Sequence, residues 1–200
     1  MATRKTPISI ISFDLDGTLI DDTFVNAIWY EAIPQLYSKE KKVPFKKAIT
    51  LIKKEYEKIG KERLEWYDLN YWINRYNLKI NSKTLLTKYS KKIHSYPETI
   101  PILEKLWNTK LKLIVITNAH KDFAQIELKE TGIAKYFDQV FSVTTDLKQV
   151  KKTVQLYLEI CNLLKVAPHE IIHVGDDHIF DFLVPKTVFY ISRAVVLVML

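Results

Sequence analysis

At 200 residues, 48% hydrophobic and 26% charged, the chain suits one domain, or a core with a smaller insertion, and is too apolar to be disordered. A single cysteine, Cys161, excludes an internal disulfide and a thiolate metal cage, and no apolar run approaches the ~20 residues of a membrane-spanning helix. The net charge of +7 is almost wholly lysine without a nucleic-acid motif, so it reads as a solvated face suited to anionic substrates rather than to nucleic acid.

The first apolar run, 8–13, is short, interrupted by Ser9 and Ser12, and followed by acid. It reads as a buried parallel strand and not as a signal peptide, which makes the cytoplasm the simplest expected location. Directly after it stands Phe13-Asp14-Leu15-Asp16-Gly17-Thr18-Leu19. Two carboxylates separated by one residue of extended chain project to the same side. They repel one another, and a divalent cation is the usual remedy. Gly17 then permits a tight turn away from the strand.

From 20 to 96 the pattern is helical and no strand is evident. A helix starting near Asp22 is expected to bend or stop at Pro34. Phe45, Ala48, Ile49, Ile52, Tyr56 and Ile59 form one apolar stripe, ended by Gly60. Leu64, Tyr67, Tyr71, Ile73 and Tyr76 suggest a second helix, and Ser82 is placed to cap a third. The aromatic residues Trp29, Tyr30, Trp66, Tyr67, Tyr71 and Trp72 read as the core of this helical segment, while Phe24 is placed to meet a substrate.

Beyond Pro97 and Pro101 the helical patterns 100–108, 122–131 and 147–165 alternate with the apolar runs 111–116, 139–143 and 171–174. That alternation predicts an α/β fold with a doubly wound parallel sheet. The core is expected over 1–19 and 97–200, with a helical domain inserted over 20–96. Each later strand ends on polar residues: Thr117-Asn118 after the second, Lys148, Lys151 and Lys152 after the third, and Gly175-Asp176-Asp177 with Asp181 after the fourth. Ligands in such sheets sit at the carboxyl ends of the strands, so these segments converge on one crevice.

In order and spacing, Asp14-x-Asp16-Gly17-Thr18, Thr117-Asn118, a lysine near 151 and Gly175-Asp176-Asp177-x-x-x-Asp181 resemble the four motifs of the haloacid dehalogenase-like hydrolase superfamily. The helical insertion resembles that superfamily's type 1 cap. The resemblance implies a Rossmann-like core and a phosphatase. Asp14 would attack phosphorus and form an aspartyl phosphate, with Asp16 as general acid and base. It implies Mg²⁺ held by Asp14, the main-chain carbonyl of Asp16 and Asp176, with Asp177 assisting. Gly17, Thr18, Thr117 and Asn118 would surround the phosphoryl group, with one lysine fixing its charge and Asp181 orienting that lysine or the metal's waters.

Two departures stand out. The superfamily's lysine is usually followed by proline; alignment on Tyr157 selects Lys151 and leaves Lys152 in the proline position, with Lys148 as a further candidate. After Asp181 the chain runs through Val184-Pro185-Lys186 into the apolar stretch 194–200. That stretch suits a last strand, an altered end, or a contact through which the chain forms a homo-oligomer. His173, inside the fourth strand, reads as a satisfied core histidine or one standing behind the site, and His94, His120, His169 and His178 lack zinc-site spacing. The expected function is Mg²⁺-dependent hydrolysis of a small phosphorylated metabolite, with no nucleic-acid or membrane partner. The alternatives are a phosphomutase of the same superfamily and a non-catalytic binding protein on the same fold.

Overall fold

The computed structural model of the chain describes residues 7–189 and the backbone of 195–196. Its centre is a parallel sheet in the order β3-β2-β1-β4-β5, built from β1 (Ile10–Phe13), β2 (Lys112–Thr117), β3 (Gln139–Ser142), β4 (Ile171–Gly175) and β5 (Val195–Val196). The first strand is thus central, with Phe13 level with Val115 on one side and Val174 on the other. Alternate residues serve opposite faces: Leu113 and Val115 enter one hydrophobic cluster, Ile114 and Ile116 the other. With both faces covered, an unbroken apolar run is the stable strand sequence, as read for 8–13 and 111–116.

A set of helices, α1 (Thr23–Ala27), α2 (Ile33–Lys41), α3 (Phe45–Ile59), α4 (Leu69–Tyr76) and α5 (Ser82–Tyr89), follows β1 before the chain returns to the sheet. The first two are joined by a widened π-helical turn at Ile28–Ala32, and Pro34 lies in the opening turn of α2. The proline therefore stands where its missing N–H matters least, and the chain loosens ahead of it instead of stopping. Trp72 is fully buried and meets the ring of Tyr56 at 4.6 Å; burying a side chain of this class contributes about 1.5–3 kcal/mol. Phe45, expected in the α3 stripe, is 41% exposed, and Asn81 rather than Ser82 caps α5 by accepting from the Thr84 N–H.

The insertion is seated on the core by aromatic contact. Trp29 stacks on Phe123 at 5.6 Å, and Phe24 meets the same ring at 5.8 Å. Phe24 is wholly buried in that contact, so it is a packing residue and not the exposed substrate contact expected of it. Phe123 belongs to α7 (Lys121–Glu130), which follows α6 (Thr99–Trp107) and β2.

On the opposite face lie α8 (Val154–Leu164) and α9 (Val184–Phe189). The helical pattern read over 147–165 is shorter in fact, because Thr153 accepts the Leu156 N–H and caps α8 there. The residues before Thr153 are loop. The association surface expected of the apolar C-terminal segment falls on residues 190–200, outside the described residues except for the β5 backbone.

Candidate active site

The carboxyl ends of β1, β2 and β4 meet at one crevice. The Asp14 N–H donates to the Val174 carbonyl at 2.8 Å, continuing the ladder one residue past the strand. The chain then turns hard: the Leu15 carbonyl accepts from Thr18, Leu19 and Ile20. Gly17 sits at φ 75°, and a Cβ there would lie 2.6 Å from an Asp176 carboxylate oxygen. Glycine is required twice over, by the backbone angle and by the close approach of the acidic loop. Thr18 completes the contact, its hydroxyl donating to Asp176 Oδ1 at 3.3 Å.

One side of the crevice holds a buried cation. The Lys152 ammonium, 3% exposed, lies 2.8 Å from Asp14 Oδ1 and 2.7 Å from Asp181 Oδ1. His173 Nε2 reaches the same Asp181 oxygen at 2.9 Å, and the Asp177 N–H donates to Asp181 Oδ2 at 3.1 Å. Burial opposes the charge on Lys152, yet Asp14 and Asp181 hold its pKa above the ordinary lysine value. Burial would raise Asp181, but Lys152 and His173 hold it well below the usual carboxylate range. Burial also pushes the Asp14 carboxyl up, to about 8, with Lys152 pulling it down and Asp181 and Asp16 adding to the rise.

Lys151 is not the lysine of this cluster. Its ammonium points outward to Glu62 of the helical insertion at 2.7 Å, and its side chain is 46% exposed. The Thr153 N–H donates to the Lys151 carbonyl at 3.0 Å, turning the chain tightly at Lys152 just before Thr153 caps α8. Asn118 fixes the same loop, its amide donating to the Val150 carbonyl at 2.9 Å. Lys148 stands at φ 53°, and Lys152 takes the inward position.

The other side holds acids without a cation. Burial pushes Asp16 up to about 7; the neighbouring Glu127 works against that rise, and Asp22 and Asp176 add to it. Glu127 is fully buried on α7, and neither of its oxygens has a hydrogen-bond donor among the described residues. Burial, then the neighbouring Asp16, hold its carboxyl well above the ordinary range. The sequence carried a signal for Glu127 that went unread, since it lies in helical phase with the buried Phe123 and Ala124.

Asp14, Asp176 and Asp181 each offer an oxygen, all within 4.8 Å of one another. Asp181 is engaged by Lys152, His173 and a backbone N–H, whereas Asp14 meets Lys152 and Asp176 meets Thr18 through Oδ1, so each keeps its Oδ2 for a cation. An all-oxygen donor set with a carboxylate pair fits a hard divalent cation. Asp177 falls outside that group among the described residues: its Oδ1 accepts from Ile179 and Phe180 and caps the following turn. Thr117, 1% exposed, ends β2 beside Asn118, with its hydroxyl accepting from Ala119 at 3.0 Å. The insertion reaches the rim here through Glu62, which pairs with Lys151.

Residues 11–188 match the family model of haloacid dehalogenase-like hydrolases. The GMP/IMP nucleotidase YrfG of Escherichia coli is 29% identical over 138 residues, which is 69% of this chain and 61% of that protein. The putative pyrophosphatase PpaX of Clostridium perfringens is 30% identical over 186 residues, covering 90% of this chain and 79% of that one. Among solved structures, a HAD phosphatase from Thermococcus onnurineus superposes with a TM-score of 0.78 at 28% identity, covering 90% of this chain and 83% of the other.

Proposed function

The chain belongs to the haloacid dehalogenase-like hydrolases, and on that premise we propose that it is a phosphatase acting on a small phosphorylated metabolite through Asp14. The observation that carries this reading is the pairing of Asp14 with the buried Lys152 at the end of the central strand, two residues before a carboxyl held near neutrality. Relatives named as a nucleotidase and a pyrophosphatase support small phosphorylated compounds as the substrate class.

An Asp14 oxygen attacks phosphorus, forming an acyl phosphate as the ester P–O bond breaks. The leaving oxygen takes the proton of the Asp16 carboxyl, whose raised pKa keeps that proton available near pH 7. Water then attacks the phosphorus, Asp16 receives its proton, and inorganic phosphate leaves with Asp14 restored. Lys152 donates to Asp181 and lies 2.8 Å from Asp14, and its ammonium keeps N–H capacity for a phosphoryl oxygen. Thr117, Asn118, Gly17 and Thr18 line the position that the phosphoryl group takes. Asp14, Asp176 and the main-chain carbonyl of Asp16 would hold Mg²⁺, which neutralises phosphoryl charge when bound.

The inserted helices cover the crevice and shape the leaving-group side, through the segment that carries Glu62 and Tyr67. No helix among the described residues is long and apolar enough to cross a membrane.

The test is hydrolysis of an aryl phosphate with Mg²⁺, with chelator, and with Asp14→Asn. Turnover that needs the metal and falls by about 10³-fold or more in the variant supports the assignment. Turnover retained by Asp14→Asn removes Asp14 as nucleophile and overturns it.

A further inference from the structure

Behind the lysine lies a line of buried polar side chains that phosphoryl transfer does not itself require. Ser12 and His173 are register partners in the β1–β4 ladder, so both project to the same face of the sheet. The Ser12 hydroxyl lies 2.7 Å from His173 Nδ1, and His173 Nε2 lies 2.9 Å from Asp181 Oδ1. Ser12 and His173 are 0% and 1% exposed, so no water competes for these bonds. Tyr157 packs edge-on against the imidazole at 5.3 Å, and its hydroxyl is anchored on the Phe180 carbonyl.

The proton positions follow from the partners. Asp181 beside Lys152 is a carboxylate and can only accept, so Nε2 carries the ring proton. Nδ1 is then the acceptor, and Ser12 turns its hydroxyl hydrogen towards it; the alternative acceptor, the Ile172 carbonyl, is farther at 3.4 Å. The imidazole is fixed at both nitrogens and fixes Asp181 in turn.

We propose that His173 is a positioning residue that, held by Ser12, locks Asp181 and thereby keeps the Lys152 ammonium against Asp14. The proposal rests on the reading of Asp14 as nucleophile. Its chemical logic is sharpest at the intermediate. Once Asp14 is esterified to phosphorus its charge is gone, and Asp181 is the one carboxylate still in contact with Lys152 among the described residues. A carboxylate free to rotate would let the ammonium drift when the phosphoryl oxygens depend on it. One doubly engaged by His173 and the Asp177 N–H would not.

A double-mutant cycle separates this role from mere core packing. His173→Leu is expected to lower kcat on an aryl phosphate by roughly 10–100-fold with KM changed less than about 3-fold. In a Lys152→Ala background the same substitution is expected to cost nothing further in kcat. His173→Gln, which can present an N–H to Asp181, should recover part of the loss, and Ser12→Ala should show a smaller loss of the same kind. An equal loss from His173→Leu in both backgrounds, or no loss in the wild type, overturns the proposal. Should His173→Leu fail to fold, the same cycle is run with His173→Gln and Ser12→Ala.

Crystal structures of the wild type and of the folded variant give a readout independent of turnover. Lys152 is expected to withdraw from Asp14 in the variant, and an unmoved Lys152 overturns the positioning role. Absence of aryl-phosphate turnover in the wild type would count against the phosphatase reading alone, because the position of Lys152 would still judge His173.

Discussion

The two sides of the crevice handle buried acid in opposite ways. On the Lys152 side, Asp14 and Asp181 share one ammonium, and Asp181 takes two further hydrogen bonds. On the Asp16 side, burial raises both Asp16 and Glu127, Asp16 adds to the rise of Glu127, Asp22 adds to both, and two Glu127 oxygens and one Asp16 oxygen find no donor among the described residues. Lys152 and His173 together hold Asp181 well below the usual carboxylate range, whereas burial outweighs Lys152 at Asp14 and raises it, as it raises Asp16. The first arrangement holds a nucleophile in place, and the second stores a proton beside it. An acid of the second kind is what a leaving oxygen needs.

Removing the ammonium should break this contrast most severely. Lys152→Ala leaves Asp14 and Asp181 facing one another in a buried site, so a loss of about 3–5 kcal/mol in stability is expected from denaturant unfolding. In protein that still folds, kcat should fall by about 10²-fold or more, as for loss of a group directed at transition-state charge. Lys151→Ala, one position away, should change unfolding stability by less than about 1 kcal/mol, because its partner Glu62 is solvent-exposed.

A subtler disturbance of the Lys152 side comes from the acidic loop. At Gly175 an added Cβ would lie 2.4 Å from the Asp181 Cβ. Gly175→Ala should therefore displace Asp181 and cost about 1–3 kcal/mol, measurable as a lowered urea midpoint.

The smallest and most diagnostic effect belongs to the proton-storing side. Glu127 has a folded-state pKa above its unfolded value, so its stabilising contribution is complete below the unfolded pKa and is lost as pH rises through the folded one. Asp16 and Asp14, raised to about 7 and about 8, act in the same sense. Metal-free protein should thus lose stability between about pH 5 and about pH 8 from these groups. Glu127→Gln removes one of them, and its denaturation midpoint should fall less over that interval. A parallel fall in both proteins would show that Glu127 is ionised throughout.

Legibility in the sequence followed the kind of signal each residue left. Asp14, Asp16, Thr117 and Asp176 stand at strand ends, where an apolar run breaks abruptly into polar residues, and Asp181 follows in the turn beyond β4. Glu127 left a weaker trace, a single acid in the buried phase of a helix, and helices carry many acids. Phe24 shows the converse: its chain position beside the nucleophile suggested substrate contact, yet packing on Phe123 buries it completely.

By itself the sequence determined the parallel α/β core, the helical character of the insertion and the convergence of the acidic motifs, because apolar periodicity and turn chemistry are local properties of the chain. Tertiary structure alone decided which of two adjacent lysines enters the crevice, that Glu127 leans on Asp16, and that Ser12 and His173 stand in line behind Asp181. Those outcomes depend on helix phase, strand register and the approach of segments up to 161 positions apart, and no local pattern encodes them.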